Sequence, residues 1–147
     1  MKYLTFEDRT IPHLISAPII YSMIIPVVFF DLWIELYHRL AFPLYGIPLV
    51  ERGNYIKIDR QKLSYLDGMQ KLNCMYCGYV NGALHYWSTI AGETEKYWCG
   101  IKHKNESGFV EPEHHAAFTE FGDEASYNSQ YKEAPKTTEE QPSRKQA

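Results

Sequence analysis

The chain has 147 residues, 45% of them hydrophobic and 15% aromatic, and a formal net charge of −3. That length holds one modest core at most, and any stretch that leaves the aqueous phase makes the core smaller. Residues 104–147 carry 5 Lys/Arg against 9 Asp/Glu, the remainder 10 against 9, so no basic block supports nucleic-acid binding.

The first element is apolar. After an N-terminal segment (residues 1–10), "IPHLISAPIIYSMIIPVVFF" runs from Ile11 to Phe30 without Asp, Glu, Lys or Arg. Twenty helical residues rise about 30 Å, the thickness of a bilayer hydrocarbon core. Pro18 and Pro26 are tolerated in such spans, and Glu7 and Asp8 stand where a signal peptide would be basic. The expectation is a transmembrane helix with its emerging end over residues 11–40, followed by an interfacial segment over 41–58. A two-pass hairpin through residues 32–50 is the alternative, disfavoured by Asp31, Glu35, His38 and Arg39 in its first half and Pro43, Gly46 and Pro48 in its second. Arg39, Arg52, Lys57, Arg60 and Lys62 outnumber Lys2 and Arg9, so the C-terminal part is expected in the cytoplasm, with the protein in the inner membrane.

Asp31, Glu35 and His38 follow an i, i+4, i+7 spacing and share one helical face. "ELYH" is a Glu-x-x-His pair of the kind used by carboxylate-bridged di-iron proteins, but one copy is insufficient without a second chain. A polar stripe that meets headgroups or pairs with Arg39 is the plainer account.

Residues 59–104 read as a metal-binding helical module. Cys74, Cys77, Cys99 and His103 follow a C-x2-C-x21-C-x3-H pattern, which suits a tetrahedral ion; in a reducing compartment an odd number of cysteines favours ligation over disulfides. A dithiol in redox exchange and ordinary buried cysteines are the alternatives. Gly78 is expected to provide the left-handed turn of a knuckle, Asn81 to cap a helix running towards Trp98, and Leu63, Leu66, Met69 and Leu72 to form a second short helix alongside. The expected fold is mainly α, with two short helices closed by zinc, iron being the alternative cofactor. His85 is a substitute fourth ligand. No nucleophile–base set, phosphate loop or open metal position is present, so no catalytic residue is expected.

The six residues "CMYCGY" resemble the Cys-x-x-Cys-Gly knuckle of rubredoxins and zinc ribbons, although a second knuckle is missing. Over about residues 1–104 the chain also resembles small bacterial inner-membrane proteins that share a tyrosine-rich Asn-Cys-x-Tyr-Cys-Gly stretch and a Trp-Cys-x-Ile-Lys-His ending. That resemblance implies a membrane protein and no particular reaction.

Residues 105–147 form an acidic tail, disordered or partner-bound, with Phe109, Phe118, Phe121, Tyr127 and Tyr131 suited to lying along a partner. His114 and His115, beside Glu111 and Glu113, are weak candidate ligands. The functional expectation is an accessory or assembly subunit of a larger membrane complex, in contact with the lipid bilayer and other membrane-protein subunits. A rubredoxin-like iron electron carrier serving a membrane enzyme is the alternative.

Overall fold

A computed structural model describes residues 10–132. They are mainly helical, with no β-strand among the described residues. The chain divides into two compact units, Met1–Thr94 and Glu95–Ala147, so the boundary falls inside the stretch expected to form one module.

The first unit begins with α1 (Thr10–Ser22) and α2 (Ile24–Tyr45), separated only at Met23. The break has a covalent cause. Pro26 offers no N–H to the Ser22 carbonyl, and its ring crowds that carbonyl, so the ladder of α1 stops at Ser22. Together Ile11–Tyr45 make one helical stretch long and apolar enough to cross a bilayer, and no second one occurs among the described residues. The helix continues through residues 41–45, expected to be interfacial, and ends at Gly46. That residue is left-handed at φ 70°, and the amides of Gly46 and Ile47 reach back to carbonyls in the last turn.

The long helix α3 (Gly68–Trp98) replaces the expected pair of short helices. Its start is a reciprocal capping box: the Gln70 amide donates to Asp67 Oδ1 at 2.8 Å, and the Asp67 amide donates to Gln70 Oε1 at 3.0 Å. Asn81, expected to cap a helix, sits inside this one and donates to the Cys77 carbonyl at 2.9 Å. Contacts along the two long helices advance in step. Tyr21 bonds Asn73, Tyr79 reaches Asp31, Tyr86 reaches His38 and Tyr37 meets Thr94, so α3 runs parallel to α1 and α2.

Parallel neighbours require the chain between them to return the full distance. Residues 46–67 do so: Val50 bonds His38, Arg52 bonds Asp31, and Tyr55 packs on Tyr86. The backbone at Tyr55–Lys57 then touches α3 directly. A Cβ on Gly82 would stand 2.7 Å from the Tyr55 carbonyl oxygen, and one on Gly78 would stand 2.9 Å from the Lys57 carbonyl oxygen. Gly78 therefore serves a close approach within a helix, not the left-handed turn expected of a knuckle. Phe42, Tyr86 and Ile90 form the buried core of this unit.

In the second unit, Gly100 adopts φ 65° and the helix goes no further, so Cys99 and His103 do not share a continued helical face. Ile101 pairs with Thr119 in an isolated parallel bridge, with Lys102 N–H to the Thr119 carbonyl at 2.8 Å and Thr119 N–H to the Gly100 carbonyl at 2.9 Å. A 3-10 turn at Glu113–Ala117, the short α4 (Glu124–Tyr127), capped by Asp123, and a π-helical turn at Asn128–Lys132 complete the described part. Residues 105–132 of the acidic tail thus have defined local structure, while 133–147 lie outside the described residues.

Candidate functional site

Two polar constellations stand out, one in each unit. The first is built on the face of α2 that carries Asp31, Glu35 and His38. Asp31 is 6% exposed and accepts a bidentate pair from Arg52, with Nη1 to Oδ1 at 2.7 Å. It also accepts Tyr79 Oη at 2.7 Å and Trp87 Nε1 at 3.1 Å. One carboxylate thus receives four donors from the return segment and α3. Glu35 accepts Arg39 Nε at 2.6 Å and Tyr86 Oη at 2.9 Å.

His38, 2% exposed, accepts the Val50 amide at Nε2, 2.9 Å away. An accepting Nε2 puts the proton of the neutral ring on Nδ1, which then donates to Tyr86 Oη at 3.0 Å. Tyr86 in turn donates to Glu35, giving a directional chain from His38 through Tyr86 to Glu35. Burial, with Asp31 beside it, pushes the Tyr79 phenol up to about 12; burial and Glu35 raise Tyr86, and Asp31 raises Arg52. Every member has a protein partner. This is a fully connected network that fixes α3 and the return segment to α2.

The second constellation lies in the second unit. Glu95 Oε2 is 2.7 Å from His114 Nε2, and Glu95 Oε1 is 3.1 Å from His115 Nε2. His115 is 1% exposed, stacks on Phe118 with centroids 4.8 Å apart, and leaves Nδ1 buried without a hydrogen-bond partner. The His103 ring lies 5.6 Å from that of His115. One donor atom each from Glu95, His103 and His115 lie within 4.8 Å of one another. The Glu95 carboxyl is held below its ordinary range, first by the hydrogen bond with His114.

The four residues read as one site from the sequence take different places. Cys74 and Cys77 sit in the first third of α3, Cys77 exposed and Cys74 half-buried; Cys99 directly follows the helix and is exposed. Cys74 and Cys77 belong to the first unit and Cys99 to the second. His103 keeps company with Glu95 and His115 instead. His85 packs on Tyr55 at 5.0 Å.

Comparisons of the chain with protein-family models, with curated proteins and with solved structures find no match.

Proposed function

We propose that the chain is an accessory subunit anchored on the face of a membrane, where α1 and α2 lie along the lipid boundary and the polar network holds α3 on the water side. The observation that carries this reading is that α2 keeps two ionisable side chains inside and its leucines outside. Its buried stripe contains Asp31 and His38, while Ile25, Phe29, Leu32, Leu36, Leu40 and Leu44 recur at three- and four-residue steps on the exposed side. Ile25 is 72% exposed and Leu44 83%. Exposed apolar area of this extent marks a lipid or partner surface.

A lie along the boundary is favoured over a crossing by the company that the apolar run keeps. Tyr21, at the middle of Ile11–Phe30, bonds Asn73, and Tyr76 donates to the Ile20 carbonyl at 2.8 Å. Crossing with Tyr21 at the bilayer centre would carry the first turns of α3, including Asp67 and Lys71, towards the hydrocarbon. Each such charge costs about 2.5–3.5 kcal/mol at a helix centre. In-plane contact keeps those groups in water and the leucines in lipid, with Trp33 at the depth its ring prefers.

Flotation of the detergent-purified chain with phospholipid vesicles tests the reading. The chain should rise with the vesicles, and a folded protein that stays at the bottom of the gradient would refute anchoring.

A further inference from the structure

We infer that Glu95, His103 and His115 hold one divalent first-row transition ion, with His114 orienting the Glu95 carboxylate. Imidazole nitrogens and a carboxylate oxygen are the donor set for zinc, iron and their neighbours, and the absence of thiolate from the set separates it from the cysteine pattern read in the sequence. Metal–donor distances of about 2.0–2.2 Å place neighbouring donors roughly 3–3.5 Å apart. Glu95 and His115 already stand 3.1 Å apart, and the whole set lies within 4.8 Å. Closure therefore needs a shift on the order of 1 Å, and exposed His103, in the loop after α3, is the member able to make it.

A further feature points to an ion. His114, at 2.7 Å from the second carboxylate oxygen, has the outer-shell position that fixes a ligating carboxylate. Three protein ligands leave at least one position for water, and the exposure of His103 gives solvent access to it.

The test uses the full chain in detergent, stripped with a chelator and dialysed against Zn²⁺, with Co²⁺ absorption as the report on geometry. One ion per chain is expected. His103→Ala and Glu95→Gln should each remove saturable binding, His114→Ala should weaken it about 10- to 100-fold, and the Cys74→Ser/Cys77→Ser double variant should bind like the parent. Far-ultraviolet circular dichroism checks that each variant is folded. Binding that survives both His103→Ala and Glu95→Gln, binding lost in the cysteine variant, or a chain with no saturable site would each overturn the assignment.

Discussion

Gly82 in α3 and Tyr55 in the return segment meet backbone to backbone: a Cβ on Gly82 would lie 2.7 Å from the Tyr55 carbonyl oxygen and 2.9 Å from the Ile56 Cα. Neither atom belongs to a flexible side chain. Alanine, which normally stabilises a helix interior relative to glycine by about 1 kcal/mol, should here destabilise the first unit by about 1–3 kcal/mol, the usual cost of overpacking. Urea unfolding of Gly82→Ala checks this. Gly68→Ala, where an added Cβ meets nothing within 4 Å, is the control and should lie within about 0.5 kcal/mol of the parent.

Arg52 supplies two of the four donors to Asp31. Its side chain is 34% exposed, so solvent softens the loss of its charge, and Arg52→Gln should cost about 1–3 kcal/mol. The Asp31→Asn/Arg52→Gln pair should cost less than the sum of the two single changes, because neither partner then leaves an unmatched charge. A double-mutant cycle on unfolding free energies should give a coupling of about 0.5–3 kcal/mol. Additive single effects would mean that the two residues act separately.

The Tyr79 phenol gives the network an alkaline limit. Its folded value of about 12 lies above the ordinary 10, so the folded chain holds that proton more tightly than the unfolded chain. The resulting stability is fully present below pH 10 and is lost as pH rises from 10 through 12. Tyr79→Phe removes this group's share of the slope, and unfolding followed between pH 9 and 12 should show a shallower decline in the variant.

Leu36 and Leu40 sit on the exposed apolar face of α2 and contribute nothing to the buried core. Burying one leucine in lipid is worth about 1.5–3 kcal/mol. Leu36→Asp/Leu40→Asp should therefore lower vesicle partitioning by at least about 100-fold while leaving the urea midpoint of the purified chain nearly unchanged. Unaltered partitioning would place the lipid contact elsewhere.

Much of the first unit was legible in the sequence because its signals are local. The charge-free run, the proline punctuation and the polar face of Asp31, Glu35 and His38 are all properties of one helix. The start of α3 was missed, although the D-x-x-Q box of "LDGMQ" marks it, because Asn81 offered a competing cap and the C-x2-C spacing suggested a turn. Gly78 and Gly82 stand four apart, a pattern for close approach that the adjacent cysteine obscured. What filled the polar face of α2 was hidden for a different reason. Arg52, Tyr79, Tyr86 and Trp87 reach it only because 46–67 return through the groove, and no local pattern announces a return of that kind. Glu95 was hidden likewise: it is one of two acids in "AGETEKYW", and its histidine partners come nineteen and twenty residues later. His114 and His115 could be noticed as ligand types, but their neighbours Glu111 and Glu113 in the sequence are not the carboxylate they meet.

The most direct measurement is labelling with a membrane-impermeant maleimide in oriented membrane vesicles. Single cysteines at position 13 (His13→Cys) and at the native Cys99 are compared in a chain otherwise free of cysteine. An anchor lying along one face predicts that both positions react from the same side of the membrane. Reaction of the two positions from opposite sides would show that α1 and α2 cross the bilayer and would contradict the proposed lie of the protein.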